Sequence, residues 1–323
     1  MISKKEIFEQ YQLVDVCIVS STLLVFCAIH TPAKDYDLDV SQILYCDNGN
    51  WSKGPCFNIE AVSICNSQRS PSVVYVLGRE GECFLVSTSG HEDISIISDN
   101  YPSGPYREVQ VVGNYIFVLG EERSVFTRNL EDRTPNWKKI DIGLPSENEF
   151  IDKSDSFENE DTLIHELINN SEVMFSLAGN NINDVCMVGS SGEIWFWDGI
   201  KWNTGNSPTN LNLYSVVNVS DKYIACGQFG TLLIGHRNQW KIIDLDITES
   251  NFCSVASFSE KIFLADGFSL FVYNSDGFSK VDLLDNAEIP SHRVKSNNEV
   301  IVSVAAKEIF TSHNAIDWKS LLL

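Results

Sequence analysis

A unit that ends on an aromatic residue recurs along this chain about every forty residues, and few folds tolerate such a repeat. The fullest copy runs from Val185 to Trp202 and reads VCMVGSSGEIWFWDGIKW. Its short apolar run, 185–188, has the character of a buried strand. Gly189 and Gly192 then bracket Ser190 and Ser191, a composition that supplies positive φ for a tight turn. Ile194 and Phe196 follow, Asp198-Gly199 signals a second hairpin, and Trp202 opens the next strand.

Aligned on the closing residue, the copies end at Trp51, Ile94, Trp137, Trp202, Trp240, Phe278 and Trp318. Successive steps are 43, 43, 65, 38, 38 and 40 residues, so only the third is long, and it holds an insertion. A unit of about forty residues with four short strands is the signature of a propeller blade. In the fifth unit the strands are expected at 214–219, 222–226, 231–234 and 240–245, and in the sixth at 253–257, 261–265, 269–273 and 278–283. The glycine turn recurs at 78–81 and, in degenerate form, at 120–123. The sequence therefore predicts an all-β chain: one seven-bladed β-propeller of four-stranded antiparallel blades over residues 1–323, with an acidic insertion at 146–172 carrying a short helix. Strands this short are buried only by stacking blade on blade, which places the recurring aromatic between blades. End-to-end closure is expected, with 14–19 opening the first blade, 318–323 closing the last and 1–12 spare. A clasp of residues 6–10 onto the last blade is the alternative.

The pattern resembles the Asp-box class of propellers, which includes bacterial-neuraminidase-type repeats and the repeats of photosystem II assembly-factor-like proteins. VGSSGEI at 188–194 followed by DGIKW at 198–202 comes closest; DNGNW at 47–51 and SDGF at 275–278 are partial, and 312–318 is degenerate. In that class the box is a structural turn, so the resemblance implies an architecture and not a catalytic site.

Composition narrows the function classes. A hydrophobic content of 43%, with 18 Phe, 10 Tyr and 7 Trp, supplies a sizeable core and excludes disorder. The 44 acids against 23 bases give a net charge of −21. Such a field repels nucleic acid and anionic membranes and favours a cationic partner, or simply keeps a sheet-rich chain soluble. Nine cysteines, an odd number without a CxxC pair, sit mostly within apolar runs, as free thiols do in a reducing, cytoplasmic setting. The apolar stretch 13–29 is broken by Asp15 and Ser20-Ser21-Thr22 and lacks a basic flank, so it reads as two strands and not as a signal peptide or membrane span.

No constellation of catalytic residues stands out. Of His30, His91, His165, His236, His292 and His313, three (91, 236 and 313) fall in outer-hairpin turns spread around the rim, where they would not converge on a metal. There is no phosphate-cradling loop and no Gly-x-Ser-x-Gly elbow. A sialidase, the enzyme suggested by the resemblance, needs clustered arginines, a tyrosine nucleophile and acidic partners. Eight arginines are present, but the arginine-isoleucine-proline signature of that family is absent. The chain reads as a non-enzyme with no cofactor and no metal.

Residues 146–172 hold nine acids and one base, Lys153, interleaved with apolar side chains. Asp161 or Thr162 would cap a short helix whose Leu163, Ile164, Leu167 and Ile168 share one face. In a propeller, a loop from an outer strand to the next inner strand opens on the top face. The candidate partner-binding residues are therefore Glu149, Asp152, Asp155, Phe157, Glu158, Glu160 and Asp161, joined by Asp246, Glu249 and Asp285 in equivalent loops. A solvated excursion in a tolerant loop is the competing account. The expected function is non-catalytic docking of a basic protein by a monomer that binds neither nucleic acid nor membrane. Its most concrete form is an immunity-type inhibitor that neutralises a cationic toxin. An assembly or scaffolding factor is the second reading, and a glycan-active enzyme the third.

Overall fold

The computed structural model describes residues 2–34, 36–67, 70, 72–95, 105–132, 136–145, 173–246, 249–282 and 288–322. They form seven four-stranded antiparallel sheets, each a meander in chain order. The innermost strands are Tyr11–Ile18, Ala61–Asn66, Tyr106–Val112, Met174–Asn181, Leu213–Val219, Ser254–Phe258 and Arg293–Ser296. Each packs against the innermost strand of the next blade, and Arg293–Ser296 returns to Tyr11–Ile18, so the ring closes end to end as expected. In the fifth blade the strands are Leu213–Val219, Lys222–Gly227, Leu232–His236 and Gln239–Ile242, near the boundaries read from the repeat.

Among the described residues seven apolar clusters form, one at each junction between neighbouring blades. Each fully buried Val, Leu, Ile or Phe in them contributes about 1.5–3 kcal/mol relative to exposure. The repeat aromatics point back into the preceding blade: Trp202 packs with Phe117 and Leu119, and its indole N–H donates to the carbonyl of Ile140 at 2.8 Å. The second blade differs from the sequence alignment. Ile94 lies in the cluster shared with the third blade, whereas His91 faces Val86 in the register that Trp202 occupies opposite Trp197. The His91 ring meets Phe57 of the first blade edge-on at 5.2 Å. A histidine thus replaces the aromatic there.

The glycine turn also works differently from the sequence expectation. Gly189 is extended, and its missing Cβ leaves room for Met174 and the carbonyl of Val173. The left-handed positions are Ser191 (φ 54) and Gly192 (φ 73). Residues 6–10, weighed as a clasp strand, belong instead to an α-helix, Lys4–Gln10, whose Glu6 N–H is capped by the Ser3 hydroxyl at 3.1 Å. Ile2 and Ile7 are buried with Trp51, Val300 and Leu322, so this helix covers the seam where the last blade meets the first.

A polar belt runs around the channel wall. In successive blades Asp15, Ser63, Glu108, Ser176, Ser215 and Ser254 each accept the N–H of an inner-strand residue one blade on: Ile64, Val109, Leu177, Val216, Val255 and Val294, at 2.7–3.3 Å. The seventh place in the belt is Arg293, which has no acceptor to offer. There Asp15 turns its other oxygen to its own neighbour, the N–H of Val16 at 2.9 Å, and the seam is joined by charge. Lys295 donates to Asp15 at 2.8 Å, and the Arg293 guanidinium stands 3.5 Å away.

Candidate functional site

In a meander blade, the turn between the second and third strands and the connection to the next blade lie at the same end. Hydrogen bonds knit them together here: Ser190 N–H donates to Val173 O, Gln228 to Asn212, Gly230 to Ser250 and Gly267 to Ser291, at 2.7–2.9 Å. Among the described residues, Tyr36 (77%), Leu38 (56%), Phe229 (57%) and Phe268 (82%) stand exposed on this face. Ile200 and Ile316 are exposed in third-to-fourth-strand turns on the opposite face.

Phe229 is held at φ 50 by the N–H it donates to the Asn251 side chain at 3.1 Å. Asp266 accepts the N–H groups of Phe268 and Ser269 and the hydroxyl of Ser250, which ties the two phenylalanine loops together. The connection between them carries Asp246 and Glu249, both exposed, in the loop where the repeat placed them. Asp246 is left-handed (φ 53), its N–H donating to Asp244 at 3.0 Å. Aromatic and acid therefore alternate on the described part of this face over the fifth and sixth blades.

Glu149, Asp152, Asp155, Phe157, Glu158, Glu160, Asp161 and Asp285, together with the short helix expected in the insertion, lie outside the described residues. The flanks of the insertion are defined. On the rim, the carbonyl of Ile142 accepts the N–H of Trp202 at 2.7 Å, and Val173 re-enters beneath the Ser190 turn.

At the centre of the face the channel opens into a cavity of about 350 Å³ lined by Arg79, Arg107, Arg293, Phe175, Tyr214 and Cys253. The inner strands of the first five blades each carry a β-bulge near this end, and Arg107, Phe175 and Tyr214 are the extra residues in three of them. A bulge re-aims the side chain it releases, here toward the mouth. Sequence reasoning weighed the arginines only against a sialidase signature and missed this convergence. The available signal was positional: Arg107, Phe175 and Tyr214 each directly precede a belt residue.

Titratable groups near the channel are strongly biased by burial. Burial alone would raise the Asp15 pKa, but the charges of Lys295 and Arg293 and the Lys295 and Ile64 hydrogen bonds outweigh it and hold Asp15 below its ordinary 3.8. Burial pushes Glu108 above 4.5 against the bonds from Gln110 and Leu177, and pulls His292 below 6.5. All nine cysteines are free, and burial raises the thiol pKa of Cys17 and Cys27, which suppresses thiolate chemistry. The Asp198 carboxylate closes its turn by accepting the N–H groups of Ile200 and Lys201, each at 2.9 Å. Among the described residues no helix is long and apolar enough to cross a membrane.

No protein-family model matches the chain. It is similar to the immune protein Tsi7 of Pseudomonas aeruginosa, 27% identical over 241 residues that cover 73% of this chain and 71% of that protein. Among solved structures, YCF48 from Cyanidioschyzon merolae superposes with a TM-score of 0.63 at 14% identity, over 94% of this chain and 95% of that one. YCF48 bound to a D1 peptide gives 0.64 at 12% identity, covering 94% and 93%. The WD40 propeller domain of Doa1 gives 0.64 at 10% identity, covering 94% and 92%. At these identities the solved structures share the fold, a seven-bladed propeller of four-stranded antiparallel sheets, and the sequence relative is an immune protein.

Proposed function

We propose that this propeller is a non-catalytic, immunity-type binding protein that neutralises a toxin by docking it on the face described above. The observation that carries the reading is the exposed aromatic pair Phe229 and Phe268 with Asp246 and Glu249 between them, on the face where the chain re-enters at Val173 after the acidic stretch 146–172. Partly exposed aromatics beside charge are the usual anchors of a protein interface. The sequence relative supports the immunity assignment.

The charge of −21 favours a toxin with a cationic surface, steered in by the field and weakened by salt. Glu149, Asp152, Asp155, Phe157, Glu158, Glu160, Asp161 and Asp285 are assigned to the same interface. The free thiols fit action as a monomer in a reducing compartment. The Asp198 turn is assigned the structural role of an Asp box.

The test is coexpression with a toxin encoded beside the gene for this chain, read as cell survival and as the dissociation constant of the purified pair. Phe268→Asp should weaken binding about tenfold or more, since it places a charge at a buried anchor. Ile200→Asp on the opposite face should leave binding unchanged. A chain that fails to protect cells and fails to bind the toxin would refute the immunity reading. Equal losses in the two variants would refute the choice of face.

A further inference from the structure

We infer that the arginine-lined mouth of the channel is a carboxylate-binding site that takes an acidic side chain of the docked protein. This rests on the reading of that face as the docking face. In a chain of charge −21 the cavity is lined by three guanidinium groups and, among the described residues, by no carboxylate. The acids that pair with these arginines stand behind them, outside the lining: Glu121 at 2.6 Å from Arg107, Glu60 at 3.6 Å from Arg79, and Asp15 at 3.5 Å from Arg293.

Each guanidinium carries five N–H donors, and one carboxylate uses only part of that fork. The Nε of Arg107 is buried without a hydrogen-bond partner, whereas the Nε of Arg293 is the atom that faces Asp15 at 3.5 Å, which leaves its terminal nitrogens for the mouth. Buried donors of this kind are uncommon. The planar fork matches a carboxylate or a phosphate in two-point geometry.

The walls argue for a side chain of a polypeptide. Phe175 and Tyr214 meet edge-on at 5.1 Å, and Arg107 lies over the Phe175 ring at 5.5 Å. The rings give an apolar collar around the charged floor, suited to the methylenes of Glu or to a neighbouring aromatic. A cavity of about 350 Å³ falls in the range of small-ligand pockets and admits one or two residues. A cationic partner would thus present one carboxylate at the centre of a contact that is otherwise acid against base, which fixes its register on the ring.

The experiment titrates the ¹⁵N-labelled full chain with the capped peptide acetyl-Gly-Phe-Glu-Gly-amide, with its Gln counterpart, and with inorganic phosphate, reading the Arg Nε–H cross-peaks. The Glu peptide should shift the Arg107 and Arg293 peaks saturably, the Gln peptide should bind at least about tenfold more weakly, and phosphate should compete. Equal shifts with both peptides, no shift with either, or phosphate binding without peptide binding would overturn the inference. Arg107→Gln and, because Arg107 also holds Glu121, the more exposed Arg79→Gln should each weaken the Glu peptide severalfold at an unchanged melting temperature. With the toxin itself, unaltered affinity in both variants beside a loss in Phe268→Asp would remove this site and leave the docking face standing.

Discussion

Asp15→Ala is expected to lower the unfolding free energy by about 3 kcal/mol, measured as a shift of the urea midpoint at constant slope. Asp15 is 1% exposed and accepts from Ile64, Val16 and Lys295 while facing Arg293. Removing it leaves two cations uncompensated and takes away the first acceptor of the belt. Breaking a buried pair from one side costs about 3–5 kcal/mol, and the lower end applies because Lys295 and Arg293 keep 23% and 31% of their side-chain surface. Asp15→Asn paired with Lys295→Met should recover part of the loss, since only Arg293 is then left without its carboxylate. The pH dependence follows in sign. Asp15 has a folded pKa below the unfolded 3.8, so its stabilisation is present above about pH 4 and disappears as pH falls through the folded value. His292, lowered from 6.5 by burial, removes stability earlier in the same direction, because below pH 6.5 the unfolded chain takes the proton first. Asp15→Ala should abolish the lower of these two acid steps and leave the upper one.

Deleting residues 152–166 should weaken toxin binding about a hundredfold, or ~2.7 kcal/mol, with the melting temperature nearly unchanged. The segment carries six acids and one base, so its loss removes five negative charges from the loop between the third and fourth blades. The apolar clusters at the blade junctions are built from the strands, and both flanks of the insertion stay in place, so the ring keeps its packing. The residual binding should also depend less steeply on salt, because fewer charges remain to be screened. Binding that survives the deletion would return the insertion to a solvated excursion.

The scaffold was legible because packing repeats. Trp51, Trp202, Trp240 and Phe278 recur at blade spacing since each fills the same gap against the preceding blade, and that gap sets blade number and strand positions. His91 escaped notice because its partner, Phe57, comes from another blade, and a ring of similar shape serves there. The belt was hidden for a related reason. Four serines, one aspartate and one glutamate do the same job, accepting one backbone N–H, so no single residue type marks the position. The arginine mouth is assembled from side chains as far apart as Arg79 and Arg293, which only closure of the ring brings together. Asp246 and Glu249 lie in the connection between the fifth and sixth blades, where the repeat put them, since the place of a connection in the blade fixes its face.

Hydrogen exchange of the chain alone and in complex with its toxin tests the central claim, the choice of face, most directly. The account predicts slowed exchange at the amides of Ser191, Phe229 and Phe268 and their turns, with the third-to-fourth-strand turns around Ile200, Arg237 and Ile316 unchanged. Protection confined to the latter set, with the Phe229 and Phe268 turns exchanging as in the free protein, would contradict it.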